Sequence, residues 1–337
     1  MRSLLLHLSV GAPLARLYPT CKTTFAQMIL SPSPHLHTTR TVRGTMLRVC
    51  AALLPAWATG VWAFGPSVVW LTLVCILSCE FTEWAITRFM LRRKETLSDC
   101  SALLTGLLLA MNLPPTLPLW MGAAGSVVAV GIAKMCFGGL GCNIFNPALV
   151  GRVFLLISFP AAMTEWLLPD GTVGATVLGE LKANLIQPSE APLTSLFFGD
   201  MGGSAGETGS AALLLGAIYL LASRIIRWEI PGAILGVVAL FDLCTGFPPQ
   251  VDILSGGLLL GAFFMATDYT TSPMTSRGML LYGAGIGLIT VCIRRWGAYP
   301  EGMSFAILLM NGFTPLINAY MRPKRFSPKP AKEGAAK

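Results

Sequence analysis

The chain has 337 residues, of which 54% are hydrophobic and only 12% are charged, and its mean hydropathy is +0.66. A soluble domain carries about 25% charged residues, so the composition excludes a soluble globular protein. The formal net charge of +8 comes from basic residues that cluster at the ends of apolar stretches. That distribution is typical of membrane topology and does not favour a nucleic-acid-binding surface.

Hydrophobic segments of helical length follow one another along the chain and predict an all-α polytopic membrane protein. There are ten of them, at roughly 45–64, 66–88, 99–113, 118–137, 143–160, 210–226, 230–247, 252–267, 278–296 and 302–320. The alternation of polar and apolar residues that marks barrel strands is absent from them. We therefore expect about ten transmembrane helices, embedded in membrane lipid, because a helix satisfies its own backbone in the bilayer.

The segments form two groups of five, and this predicts the domain organisation. The first membrane half covers 45–160 and the second covers 210–320. A polar loop, 161–209, separates them. An N-terminal segment, 1–44, precedes the first half, and its residues 1–27 read as a doubtful extension of the better-patterned sequence that opens at Met28. A basic tail, 321–337, follows the second half.

The basic residues also predict an orientation. Clusters at 40–48, 88–94, 224–227 and 322–325 share one side of the membrane, together with Lys134, Arg152 and Arg277. Basic residues accumulate on the cytoplasmic side, so both termini are expected to be cytoplasmic. The acidic loop 161–209 is then on the outer side of the membrane. Arg294 and Arg295 are the exception to the rule.

Glycine and proline predict breaks in the third, fifth, eighth and tenth segments. Freed backbone groups inside a membrane must be re-satisfied by protein or by cavity water. The stretch that begins at Asp99 resembles the stretch that begins at Asp252. Because each half has an odd number of segments, the second would enter the membrane upside down. The sequence thus predicts two inverted five-helix repeats, an arrangement that places binding sites near the midplane.

One short motif in the polar loop is a candidate for chemistry. It runs Asp170-Gly-Thr-Val-Gly-Ala-Thr176. In one interpretation, Thr176 caps a short helix that continues through VLGELKANL. In the other, its hydroxyl forms a phosphoester, and the small neighbours Gly174 and Ala175 leave room for an enzyme that attaches a bulky group.

Several ordered motifs together resemble one known family. They are SPSPHLHTTRTVRGTM, LSDCSALLTGLLLAMNLPP, GGLGCNIFNPALVGR, DGTVGATVLGE, GETGSAALLLGAIYLL, GAFFMATDYTTSPMTSRG and YPEGMSFAILLMNGFTPLI, which span about residues 31–322. The chain resembles the D subunit of Rnf-type ferredoxin:NAD oxidoreductases, which couple electron transfer to ion translocation. This resemblance implies a bacterial cell inner membrane, with the loop 161–209 in the periplasm. The chain is also similar to the B subunit of the sodium-pumping NADH:quinone oxidoreductase.

The resemblance implies a covalent FMN joined through its phosphate to Thr176, with Asp170 as a recognition residue for the flavin-attaching transferase. Val173 stands where the family has serine or threonine, and Cys100 stands where it usually has glycine. The resemblance also implies the other Rnf subunits (A, B, C, E and G) as partners, and a second flavin such as riboflavin. With a flavin as the redox group, the protein needs no catalytic acid, nucleophile or metal of its own.

Carboxylates in or beside the apolar segments are candidates for the ion path, because an ionised group there must pair, face a cavity or bind a cation. We name Glu80, Asp99, Asp252 and Asp268. Two local interpretations compete with an ion path: Glu83 could pair with Arg88 or Arg92, and Ser98 and Asp99 could cap the third segment. For the whole chain, the alternatives are a cofactor-free channel or transporter for a small solute or ion, and a structural membrane scaffold.

Overall fold

The chain is represented by a computed structural model that describes residues 41–92, 97–168, 170–188 and 191–321. The predicted N-terminal segment and basic tail therefore lie almost wholly outside the described residues.

The first group of segments forms five helices, α1 to α5, and a short sixth helix, α6, follows them. They are α1 (Val42–Phe64), α2 (Pro66–Ala85, continued as a π-helix over Ile86–Leu91), α3 (Ser101–Met111), α4 (Leu119–Val127, continued as a π-helix over Val128–Ile132), α5 (Pro147–Ser158) and α6 (Pro160–Thr164). Short 3₁₀ turns lie at Leu97–Asp99 and Met135–Phe137. The first five helices fall within a few residues of the predicted ranges.

The polar stretch between the groups folds as a hairpin and two short helices. The hairpin strands are β1 (Trp166–Leu167) and β2 (Val173–Gly174), antiparallel, with Trp166 opposite Gly174. The helices are α7 (Val177–Lys182) and α8 (Leu193–Phe198).

The second group forms the remaining helices. They are α9 (Ser210–Ala222), α10 (Glu229–Thr245), α11 (Pro249–Leu254), α12 (Leu258–Leu260, continued as a π-helix over Gly261–Met265), α13 (Ser276–Trp296) and α14 (Met303–Tyr320).

Length divides these helices into two kinds. Within the part of the chain that the structure describes, five candidate spans are long and apolar enough to cross a membrane: Val42–Phe64, Pro66–Leu91, Leu119–Phe137, Ser276–Trp296 and Met303–Tyr320. By contrast, α5 has 12 residues, which is about 18 Å of helix against a hydrocarbon core of about 30 Å. The predicted breaks in the third, fifth and eighth segments are confirmed as short or divided helices.

The predicted break in the tenth segment is wrong. Helix α14 continues through Pro315. A proline removes only one backbone donor from a helix, and α14 is held by its packing against α13 and α5. Thr314 beside the proline also donates to the carbonyl oxygen of Thr271 at 2.8 Å, which ties α14 to the segment after α12.

The two groups meet along α1 and α9, which pack against each other. At Gly216 on α9 a Cβ atom would collide with the backbone carbonyl of Ala52 on α1, so glycine permits this close approach. Small residues serve the same purpose at helix interfaces within membranes. Around this contact lies the main apolar core, to which α3, α5 and α12 also contribute.

The start of α3 differs from the predicted cap. Cys100 is the residue before the helix, its backbone is left-handed with φ 57°, and no side chain caps the helix. The proposed cap by Ser98 or Asp99 is therefore wrong, because Asp99 lies one residue too early, in the preceding 3₁₀ turn. Glycine adopts a left-handed backbone without strain, which gives a physical reason for the glycine that the resemblance expects at position 100.

Candidate functional site

Thr176 is the residue before α7, and its Oγ1 accepts a hydrogen bond from the backbone N–H of Gly179 at 3.2 Å. The cap predicted for the helix through VLGELKANL is thereby confirmed. Thr176 is only 6% exposed, although it belongs to the polar loop. Burial follows because α7 lies against the membrane helices: Lys182 donates to the carbonyl oxygens of Tyr299, 2.6 Å, and Ile293, 3.3 Å.

The residues before Thr176 form the accessible part of the motif. Asp170 and Ala175 are exposed and Gly174 is half-buried. Gly171 lies in the hairpin turn with φ +77°, a backbone conformation that favours glycine. The motif therefore offers an exposed approach on one side and a buried hydroxyl at its end.

A small cavity lies against Thr176. Its lining includes Leu178, Gly203, Glu207, Ser255 and Glu301. These residues come from α7, the segment before α9, the break between α11 and α12, and the connection before α14. The fold thus brings the predicted attachment residue next to two carboxylates that are far apart in sequence.

Arg152 joins those carboxylates to the membrane helices. It lies on α5, and its guanidinium forms an ion pair with Glu301 and lies 3.6 Å from Glu207. It also donates to Asn112 Oδ1 at 3.1 Å and to Ser304 Oγ at 2.9 Å. The Arg152, Glu207 and Glu301 side chains are all 13% exposed or less. We call these three residues the Arg152 cluster.

Burial and the neighbouring Glu301 carboxylate raise the pKa of Glu207, which lies outside the membrane helices, well above its usual range, although Arg152 opposes the shift. Two carboxylates beside one guanidinium cannot both be neutralised by it. The Arg152 cluster is therefore suited to hold an additional positive charge.

A second buried ion pair lies at the other end of α3. Lys134 Nζ is 2.6 Å from Glu83 Oε2 and 2.7 Å from Ser101 Oγ. Ser101 is the first residue of α3, and Asn112, which binds Arg152, follows its last residue. Eleven residues of helix measure about 16 Å. The two clusters thus occupy opposite ends of one short buried helix.

The predicted pairing of Glu83 with Arg88 or Arg92 is replaced by this contact with Lys134, because the helix turns Glu83 into the interior while both arginines stay exposed. Lys134 and Arg152 are likewise buried, so their use as surface markers of topology was wrong. An arginine inside the apolar segment 143–160 was the sequence signal for a buried ion pair.

Arg294 and Arg295, the exceptions to the charge rule, are also paired. Arg295 lies 2.7 Å from Asp242 Oδ1 and 2.9 Å from Asp252 Oδ2. Arg294 donates to the carbonyl oxygens of Asp252, 2.5 Å, and Ser255, 3.0 Å. The Asp242 and Asp252 carboxylates balance the charges of the two guanidinium groups. Paired arginines carry no net positive charge as a group, so they need not follow the charge rule for membrane topology.

The four residues predicted for the ion path do not come together. Asp252 is held by the two arginines just described. Asp268 lines a cavity of about 90 Å³, near the Lys134 end, that Ser101, Lys134 and Asn143 also line. There Asp268 accepts from Thr271 at 3.4 Å. Glu80 and Asp99 are half-buried and form no ion pair with a described residue.

Taken together, the apolar spans, the interrupted helices and the paired charges buried between them define a polytopic membrane protein with polar sites inside its helical core. The family model described as "NQR2, RnfD, RnfE family" matches residues 29–327, and the chain belongs to this family.

Individual relatives of this chain carry names that belong to the same family. The chain is 45% identical over 303 residues to the D subunit of the Na⁺-translocating ferredoxin:NAD⁺ oxidoreductase complex of Acetobacterium woodii, a match that covers 88% of this chain and 94% of the relative. It is 42% identical to the D subunit of the ion-translocating oxidoreductase complex of Stutzerimonas stutzeri, covering 83% and 91%. It is 41% identical to the proton-translocating counterpart of Clostridium ljungdahlii, covering 88% and 95%. The predicted resemblance to the Rnf-type D subunits is confirmed.

Proposed function

We propose that this chain is the D-type membrane subunit of an ion-translocating ferredoxin:NAD oxidoreductase complex and carries electrons through FMN bound covalently to Thr176. Relatives that align with most of the chain carry names of such complexes. The observation on which the flavin depends is the position of Thr176, at the end of an exposed motif and beside the cavity that reaches the Arg152 cluster.

The residues at this position fit a phosphoester. Thr176 Oγ1 acts as a hydrogen-bond acceptor toward Gly179, and an ester oxygen retains that ability. Ala175 and Asp170 are exposed, so a transferase can reach the motif from outside. A bound flavin would supply one- and two-electron transfer.

The chain's own residues hold the attachment point in place. The hydrogen bonds of Lys182 fix the far end of α7 to the end of α13 and to the connection between α13 and α14. Leu178 packs toward Gly256, where a Cβ atom would lie 2.7 Å from the leucine Cδ1. The attachment residue is therefore fixed relative to Glu301 and Arg152.

Thr176→Val is expected to abolish the covalent flavin. The variant protein, produced in cells that contain the flavin-attaching transferase, should give a dark band under ultraviolet light after denaturing electrophoresis, while the unchanged chain fluoresces. Mass spectrometry of the peptide that contains residue 176 should show FMN in the unchanged chain only. Thr172→Val, in the same exposed turn, is the matched control and should remain fluorescent. An unmodified Thr176 in native membranes would refute the covalent flavin at this position.

We also propose that the loop 161–209 faces the periplasm and that both ends of the membrane region face the cytoplasm. Leu185 in the loop is 73% exposed, so Leu185→Cys should react with a membrane-impermeant maleimide in intact spheroplasts. Cys136 and Cys142, which are exposed near the Lys134 end, should react only after the membrane is opened. Labelling in the reverse order would contradict this orientation.

Ten spans in two inverted repeats remain our proposal for the architecture. Two packing relationships support it: α2 packs on α4 as α10 packs on α13, and α3 packs on α5 as the π-helix of α12 packs on α14. The other Rnf subunits (A, B, C, E and G) are the proposed partners. A second flavin, such as riboflavin, also remains a prediction, and the cavity beside Asp268 is the place to examine for it.

A further inference from the structure

The Arg152 cluster carries more negative than positive charge. One guanidinium faces two carboxylates, which leaves a formal charge of −1 when all three groups are ionised. Arg294 approaches the same break between α11 and α12, but its guanidinium is already bound to the carbonyl oxygens of Asp252 and Ser255. An uncompensated buried charge is strongly unfavourable, so this excess negative charge requires a partner.

Oxygen atoms without hydrogen-bond partners surround the same place. Within the described residues, four buried oxygens lack a hydrogen bond of normal geometry: both carboxylate oxygens of Glu207, Glu301 Oε1 and Ser255 Oγ. The side chains of Ser204 and Glu301 lie near enough to Glu207 to affect its charge. The Glu207 side chain is 2% exposed and Ser255 is 1% exposed. Buried polar atoms are nearly always satisfied in folded proteins. Ser255 is an independent sign of a ligand, because its hydroxyl is neutral and is not needed to balance Arg152.

Geometry brings these oxygens to one cavity. Glu207, Ser255 and Glu301 all line it, together with Thr176. At Gly257 a Cβ atom would lie 2.6 Å from Glu207 Oε1, and at Gly256 a Cβ atom would lie 3.5 Å from Glu301 Oε1. The break between α11 and α12 thus exposes backbone without side chains to both carboxylates, which keeps the space between them open.

We infer that Glu207, Glu301 and Ser255 form a buried site for one monovalent cation, a proton or a sodium ion, next to the attachment residue Thr176. One positive charge neutralises the cluster, whereas a divalent ion would reverse its sign. Carboxylate and hydroxyl oxygens suit a hard cation, and a carboxylate pair equally takes up one proton.

The inference of this site depends only on the charge and burial of its residues, and it does not require a flavin at Thr176. It adds to the proposed function because a cation bound here would lie beside the position where an electron arrives. Electron arrival at a flavin would then favour cation uptake through simple Coulomb attraction in a site of low dielectric constant. The occupancy of the cation site would therefore depend on the redox state of the flavin.

The test uses the purified complex with Glu207→Gln, Glu301→Gln and the matched control Glu165→Gln, an exposed residue of the same loop. If the ligand is a proton, infrared difference spectra should contain a protonated carboxyl band that shifts in heavy water and is lost in Glu207→Gln. If it is sodium, the thermal midpoint should rise when sodium chloride replaces choline chloride at equal ionic strength, and this rise should vanish in Glu207→Gln. The control should retain either signal.

Ser255→Ala leaves the charges of the Arg152 cluster unchanged. It therefore tests the site even if the glutamine variants fold poorly. For sodium, it should require about tenfold more salt for the same rise in midpoint, because a hydrogen-bonding or ligating contact to a charged group is lost. The inference is overturned if the unchanged complex shows neither signal, or if the signal persists in both glutamine variants. The Thr176→Val variant should retain the cation signal while it loses flavin fluorescence, so the two proposals fail separately.

Discussion

Arg152→Met is expected to destabilise the protein by about 3–5 kcal/mol, because it removes the only charged partner of two buried carboxylates within the Arg152 cluster. Methionine is apolar and fills part of the same space, so the main change is the loss of the guanidinium. Its ion pairs with Glu301 and Glu207 and its hydrogen bonds to Asn112 and Ser304 all disappear. The measurement is the thermal-unfolding midpoint and the yield of the assembled complex.

Two further variants show whether charge is the cause. Arg277→Met changes an exposed arginine and should alter stability by no more than about 0.5 kcal/mol. Combining Arg152→Met with Glu207→Gln and Glu301→Gln removes the unpaired charges and should recover most of the loss. Equal midpoints for Arg152→Met and Arg277→Met would show that the buried cluster contributes nothing to stability.

Lys134→Met should have an effect of similar size at the opposite end of α3. It removes the ammonium group that lies 2.6 Å from the Glu83 carboxylate, whose side chain is 2% exposed, and it removes the donor to Ser101. We expect a loss of about 3–5 kcal/mol. The paired variant Glu83→Gln with Lys134→Met should be more stable than Lys134→Met alone, since no buried charge is left.

The double-mutant cycle isolates this interaction. Glu80→Gln, on the same helix one turn earlier, controls for loss of a carboxylate from α2, and it should have little effect because Glu80 is half-buried and forms no ion pair with a described residue. If the two single substitutions at positions 83 and 134 simply add in the paired variant, the ion pair has no coupling energy and the expectation is wrong.

Local patterns in the sequence predicted much of the secondary structure and one important cap. Each of the apolar segments contains a helix in the structure, and the breaks in segments three, five and eight are present. Thr176 caps α7 as expected, because a threonine side chain satisfies an N–H group in the first turn regardless of its surroundings. The predicted break at Pro315 was wrong because α14 is held by its packing against α13 and α5 and by the hydrogen bond from Thr314 to Thr271, none of which the local sequence around Pro315 shows.

The candidate ion path shows the limit of sequence reasoning most clearly. Asp252 and Asp268 were singled out for their positions beside apolar segments, yet Asp252 is held by arginines from α13. Glu207 and Glu301 appeared only as an acidic loop residue and as part of a glycine-containing motif. Nothing local distinguishes a carboxylate that meets an arginine from another helix from one that remains solvated.

The sequence by itself determined that the chain is a helical membrane protein, where its helices lie, which family it belongs to and which threonine is the candidate for flavin attachment. These depend on hydropathy, capping and ordered motifs, all of which act over short distances along the chain. Only the tertiary structure decided that Thr176 is buried and that Arg152, Glu207 and Glu301 share one site. The reason is physical: a buried charge is stable only beside its partners, and helix packing brings those partners from segments as much as 149 residues apart.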